Sequence, residues 1–212
     1  MTFIPSLSVI SVFTLASVML SITPGPDMTL FLGRTIMGGR RLGFAAMFGA
    51  STGLLVHALL AGFGLSALIA ASATAFTALK IIGAVYLLWL ALQALRHGAA
   101  LSLSGQAPVA SVWSTYLTGL GINLSNPKVV MFYITFLPQF VAADDPGASG
   151  KLLFLGFYFL LIGVPLSALI ILVAERFIDA TRRNPKAMRI FDYGFAALMF
   201  GFAAKLLTTQ GR

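Results

Sequence analysis

The sequence predicts an all-α membrane protein of six transmembrane helices, a single transmembrane domain over residues 1–212. Three observations predict it. Hydrophobic residues make up 58% of the chain and charged ones only 9%, too little polar surface to clothe a water-soluble globule. The charges cluster between long neutral stretches, each near the ~20 apolar residues that a helix needs to cross hydrocarbon. With six spans the basic residues sort themselves onto one side, whereas five spans scramble them.

The expected spans are 7–32, 44–70, 76–95, 112–141, 152–174 and 190–207. The first is read as a retained helix, because the first charge is Asp27 and no basic segment of a cleavable signal peptide precedes the apolar run. Residues 42–79 carry no charge, and one helix of that length would overshoot the bilayer. They are therefore divided at the small, polar Ala71-Ser72-Ala73-Thr74 stretch. The sixth span contains Asp192.

Arg34, Arg40, Arg41, Arg96, Arg176, Arg182, Arg183, Lys186 and Arg189 then fall on one side, and Lys80, Lys151, Lys205 and Arg212 on the other. The positive-inside rule makes the first side cytoplasmic and puts both termini outside the cytoplasm, N-out and C-out. A net charge of +8 would suggest nucleic acid in a soluble protein. Here the basic residues flank spans, and no Lys/Arg run interleaved with exposed aromatics can track a phosphate backbone, so no nucleic-acid partner is expected. The absence of cysteine excludes disulfides, thiolate metal ligands and thiol redox chemistry.

An internal repeat is visible at an offset of 101 residues. Leu65-Ser66-Ala67-Leu68-Ile69 falls on an identical Leu166-Ser167-Ala168-Leu169-Ile170, and Pro26-Asp27 falls on Pro127-Lys128. At a slightly larger offset Gly83 falls near Gly194. The halves are 1–98 and 110–212, each with three spans. Three is odd, so the second half lies inverted relative to the first, a 3+3 architecture on which many secondary transporters are built.

Spans one and four are expected to be broken. Thr23-Pro24-Gly25-Pro26-Asp27 places two prolines around a glycine, and Asn123-Leu124-Ser125-Asn126-Pro127-Lys128 repeats the theme. Proline removes a backbone donor and disfavours helix just before its ring. Backbone freed in this way is tolerated within a membrane only when buried in protein or lining a wet cavity. Corresponding breaks in two halves point to a binding site. The expected substrate site is therefore Pro24, Gly25, Pro26, Asp27, Asn123, Asn126, Pro127 and Lys128, with Asp27 also the proton-coupling residue. Asp27 and Lys128 admit two readings: an ion pair joining the halves, or a zwitterion site in which Asp27 takes an ammonium group or a proton while Lys128 and free amides take a carboxylate.

Other residues are read as structural. His57 lacks a second histidine or a nearby acid and is taken as packed. Gly49 and Gly53 form a small-xxx-small face for close helix packing. Tyr86, Trp89, Trp113 and Tyr116 are taken as interfacial anchors.

These residues, in this order and spacing, resemble the LysE/RhtB family of amino-acid exporters along nearly the whole chain. The matching features are Pro24-Gly25-Pro26-Asp27, the Gly38-Gly39-Arg40-Arg41-Leu42-Gly43 turn, Gly49 and Gly53, the segment from Leu79 through Gly83 and Tyr86 to Leu87, and Asn123-Leu124-Ser125-Asn126-Pro127-Lys128 followed by Phe136-Leu137-Pro138-Gln139-Phe140. The resemblance implies export of amino acids or close derivatives across a bacterial inner membrane, driven by protons, often by a homodimer. In the family the position after Pro-Gly-Pro is an acid or an amide, and Asp27 keeps a proton-carrying role open.

Two other functions compete with this one. A metal-ion or other small-ion efflux carrier belongs to the same superfamily, although no His-rich loop or Cys pair is present. A non-transporting membrane subunit would need no site at all. No enzyme is expected, because the six acids are scattered and only two histidines exist. No cofactor and no bound metal are expected either.

Overall fold

A computed structural model describes residues 4–65, 73–97, 111–142, 145–174, 176 and 183–208. Every regular element among them is helical. The described residues form eight α-helices rather than six: α1 (Leu7–Ile22), α2 (Pro26–Gly38), α3 (Arg40–Leu60), α4 (Ala73–His97), α5 (Val112–Ser125), α6 (Pro127–Met131), α7 (Ala148–Leu172) and α8 (Pro185–Thr208). The two additional helices come from breaks after Ile22 and Ser125, within the proline motifs of the first and fourth expected spans. A π-helical turn, Ala61–Leu65, continues α3, while α6 runs on through the π-turn Phe132–Phe136 and the 3-10 turn Leu137–Phe140.

The 3+3 inverted arrangement of six spans is a finer claim than the helices alone carry. Arg40–Gly64 and Ala148–Leu172 are each long and apolar enough to cross a bilayer, and the bent pair Leu7–Ile22 and Pro26–Gly38, at 49°, makes a third. The remaining helices are short or carry charge. α5 and α6 are fragments of a broken run, α4 has a shorter apolar stretch at Ile81–Arg96, and α8 bears Lys186, Arg189, Asp192 and Lys205.

Local sequence sets the helix starts. Ser6 and Ser111 accept hydrogen bonds from Val9 N and Ser114 N and so cap the first turns of α1 and α5. Gly39, at φ 80°, turns the chain between α2 and α3 in a conformation that side chains disfavour.

The core gathers where α1, α4, α7, α8 and the π-turn after α6 meet. Phe13, Phe132, Phe136, Phe159 and Phe202 fill it, with Phe132 and Phe159 ring centroids 4.4 Å apart. The α3–α5 contact is made by glycine. A Cβ on Gly49 would strike the Tyr116 carbonyl, and one on Gly119 would strike the Ala46 carbonyl, so these backbones meet directly. Large apolar side chains point outward all round, among them Leu161, Phe63 and Phe200.

Two hydrogen bonds bind α3 to α7 at both ends. Arg40, at the start of α3, donates to the Leu172 carbonyl at the end of α7 (2.9 Å), and Ser149, near the start of α7, donates to the Gly62 carbonyl just past α3 (2.7 Å). These helices are therefore antiparallel.

The repeat offset does not hold constant along them. Pro26 and Pro127 both open helices, 101 residues apart, but α3 and α7 start at Arg40 and Ala148, 108 apart (148 − 40). Of the matching pentapeptides, Leu65 ends the π-turn while Leu166 lies inside α7; residues 66–69 lie outside the described residues. Arg182 and Arg212 also lie outside them, as do the side chains of Lys80 and Lys205.

Candidate functional site

The site is built from two helix interruptions. α1 ends at Ile22, and Thr23, its C-cap, is extended, with its N–H bonded to the Met19 carbonyl at 2.9 Å. Pro24 and Pro26 have no N–H, so the carbonyls of Leu20 and Ile22 lose their partners four residues on. α2 then opens on Pro26, the position at which proline's missing donor costs nothing. The second interruption is tighter. Asn126 is at once the C-cap of α5 and the N-cap of α6, its Oδ1 accepting from Lys128 N at 3.0 Å, and Pro127 opens α6. The Asn123 carbonyl, deprived of a donor by Pro127, accepts from Asn126 N at 3.1 Å and faces His57 Nε2 at 3.4 Å.

The two breaks are cross-bonded. Asp27 Oδ2 accepts from Asn123 Nδ2 at 2.9 Å and Asn126 Nδ2 at 3.0 Å, both from the α5–α6 break. In return Lys128 Nζ donates to the Thr23 carbonyl at 2.7 Å, at the C-terminal end of α1, where the helix dipole favours a cation. The opposite charges do not bond to each other: each is held by neutral groups of the other break. Asp27 Oδ1 and Asn123 Oδ1 are buried without a hydrogen-bond partner in the protein.

Beside this crossing lies a cavity of about 80 Å³. At ~10–15 Å³ of such volume per water, it has room for roughly five to eight waters, the scale of a small amino acid. Gly25, Asp27, Asn123, Asn126 and Lys128 line it. Pro24, Pro26 and Pro127 do not; they shape the breaks rather than the wall. A Cβ on Gly25 would lie 3.4 Å from Lys128 Nζ, so glycine there leaves the ammonium room to reach Thr23. The rest of the lining includes residues that the sequence did not assign to the site: Met47 and Ser51 on α3, Phe159, Gly163 and Ser167 on α7. Their one sequence signal was serine within otherwise apolar spans.

His57 is buried but outside the cavity lining, its ring stacked on Tyr133 with centroids 5.6 Å apart. Gly53 lies against Asn123, whose Oδ1 would be 2.5 Å from an added Cβ. Tyr86 departs from the interfacial role expected of it: it lies mid-way along α4 with its hydroxyl buried. Trp89 and Trp113, in contrast, are exposed. Among the described residues no group of three or more His, Cys, Asp or Glu is placed to hold a metal ion.

Apolar helices that break around a cavity lined by charged side chains are an arrangement found in membrane carriers. The chain belongs to the LysE type translocator family, whose model matches residues 18–210. Members of that family are transporters and not enzymes. The chain is 31% identical over 198 residues to the homoserine/homoserine lactone efflux protein of Salmonella typhimurium, covering 93% of this chain and 95% of that one. It is 32% identical over 188 residues to the leucine efflux protein of an Enterobacter species, covering 87% and 88%. An uncharacterized membrane protein of Vibrio cholerae is 36% identical over 129 residues, 61% of this chain and 63% of its own. No solved structure matches.

Proposed function

We propose that the chain exports a small amino acid, or a close derivative such as a lactone, from the cytoplasm by proton antiport. The observation that carries this reading is the crossing of the two breaks. Asp27 and Lys128 face one cavity with opposite charges and are held by neutral donors and acceptors rather than by each other. A zwitterion can replace those neutral partners without first breaking an ion pair: its ammonium group meets Asp27, and its carboxylate meets Lys128 and the amides of the break. The efflux names of two relatives, for homoserine and for leucine, favour the same substrate class and direction. The metal-carrier alternative finds less support, since of the groups that soft metals favour the cavity presents only the thioethers of Met28 and Met47, with no thiolate or imidazole beside them.

Asp27 is the proton carrier in this scheme, as the one acid lining the cavity and the owner of a buried oxygen without a protein partner. One charge crossing ~100 mV releases ~2.3 kcal/mol, enough for roughly a fiftyfold concentration ratio before any pH gradient is added.

The scheme places six spans in a 3+3 inverted repeat with both termini outside the cytoplasm, in a bacterial inner membrane. Two features support it. Pro26 and Pro127 both open helices after a break. The reciprocal end bonds of α3 and α7 are what a pseudo-two-fold axis in the membrane plane would produce.

Everted membrane vesicles with an acidic lumen test the function. Radiolabelled neutral amino acids should accumulate inside, and the accumulation should collapse when the pH gradient is dissipated. Uptake of a divalent metal ion without any amino acid would overturn the reading in favour of an ion carrier.

A further inference from the structure

A second, smaller cavity of about 10 Å³ lies between α1, α4, the π-turn after α6, and α8. Lys128 and Leu20 line both this cavity and the larger one, so the lysine side chain is part of the wall between them. Of the nine residues lining the smaller cavity, only Lys128 and Tyr86 have polar side chains; the others include Leu87, Phe132, Phe136 and Met199. Tyr86 lines this cavity, and its hydroxyl is buried with no hydrogen-bond partner among the described residues. An unpaired buried hydroxyl is costly and calls for a reason, and a phenylalanine would fill the same space without that cost. The one polar side chain within its cavity is a lysine, a compact charge on a flexible stem.

We propose that Tyr86 is a positioning residue for transport: its hydroxyl receives the Lys128 ammonium when the lysine releases the Thr23 carbonyl. Lys128 then has two stations, one on the α1–α2 break and one on α4, with the substrate cavity beside the first. With the zwitterion reading of the site, on which this inference rests, each transport cycle has to detach Lys128 from Thr23 to free it for a carboxylate. Release of that carboxylate on the far side requires a competitor for the ammonium. A hydroxyl suits this task, because it accepts a hydrogen bond from the ammonium without the permanent grip of an acid. It also ties the site to α4 and its neighbour α8, helices that contribute nothing to the larger cavity.

Tyr86→Phe tests the proposal, since it removes one oxygen and keeps the ring. If the hydroxyl is merely packed, the substitution leaves transport unchanged and raises thermal stability, as the loss of an unpaired buried polar atom should. If it receives Lys128, the maximal transport rate falls by roughly tenfold, the scale of one hydrogen bond to a charged group, while the KM for substrate stays within about twofold. A raised KM at an unchanged maximal rate would make Tyr86 a substrate contact and overturn the proposal, as would a wild-type rate. A parent protein that transports no amino acid would refute the exporter reading itself. The two-station lysine is then read without transport, from the Nζ resonance of Lys128 in 15N-lysine-labelled protein, assigned by its loss in Lys128→Arg. Tyr86→Phe should shift that resonance, and a signal that the substitution does not move would overturn the inference.

Discussion

Asp27 shows how one carboxylate can be both fixed and reactive. Its Oδ2 is occupied by two amide donors, which keep the side chain aimed across the break, while Oδ1 has no protein partner. An asparagine at 27 keeps the shape and an acceptor oxygen for Asn123 and Asn126, but cannot titrate. Asp27→Asn should therefore exchange substrate in counterflow at a reduced but measurable rate and lose accumulation driven by a pH gradient. Accumulation equal to the parent's, with the same pH dependence, would show that Asp27 is structural. Outside the membrane-spanning segments, Asp145 accepts from Lys151 Nζ and from Gly147 N, and these bonds hold its carboxyl below the ordinary value of 3.8. A carboxyl lowered in the folded state stabilises the fold above its unfolded value, and that contribution disappears as pH falls through the folded one. Lys151→Met should accordingly lower the Tm near neutral pH, with the difference from the parent closing below about pH 3.8. A difference that persists undiminished in acid would mean that Lys151 acts through packing, not charge.

At the scale of the element, glycines mark where helices touch and where they do not. Gly49 and Gly119 each abut a carbonyl of the facing helix, and neither backbone can give way as a side-chain end can. Gly49→Val should cost at least the ~1–3 kcal/mol of an overpacked core and deplete folded protein in the membrane. Gly33, in α2, has nothing within 4 Å of a built Cβ, so Gly33→Ala should stabilise by ~0.4–1 kcal/mol through the unfolded chain. A comparison of Tm values in detergent decides both. This contrast also marks how far the sequence could be read. The breaks at Pro26 and Pro127 were legible because a missing N–H acts wherever the ring stands. The Gly49–Gly53 face was legible from spacing, but its partners, the Tyr116 carbonyl and the Asn123 side chain, were not, since spacing within one helix says nothing of the helix opposite. Asp27 and Lys128, which line the larger cavity, were likewise visible as charges within apolar spans. That they would bond to Asn123, Asn126 and Thr23 instead of each other depends on contacts across about a hundred residues of chain. Tyr86 was misjudged because tyrosine near hydrocarbon usually marks an interface, and only the packing of α4 against α8 reveals a hydroxyl turned inward.

For the whole molecule the open question is which way it faces, and the structure supplies a constraint independent of charge counting. The Arg40 to Leu172 bond brings the α2–α3 turn next to the end of α7, so Arg34, Arg40, Arg41 and Arg176 gather at one end of the α3–α7 pair. The Ser149 to Gly62 bond brings the end of α3 next to the α6–α7 connection, where Lys151 is neutralised by Asp145. One end of this pair therefore gathers four arginines and the other a lysine compensated by Asp145, a difference that the positive-inside rule converts into orientation. Reporter fusions after Gly98 and Arg183 should accordingly give a cytoplasmic signal, and one after Asp145 should not. The Asp145 fusion is the decisive one, because the broken run from α5 through the 3-10 turn must cross for it to lie outside. If α5 and α6 instead formed a re-entrant hairpin, that fusion would report cytoplasm while the Arg183 fusion reported the opposite side. Such a reversal would remove the proposed inverted repeat and, with it, the two-sided access that the proposed export through this cavity requires.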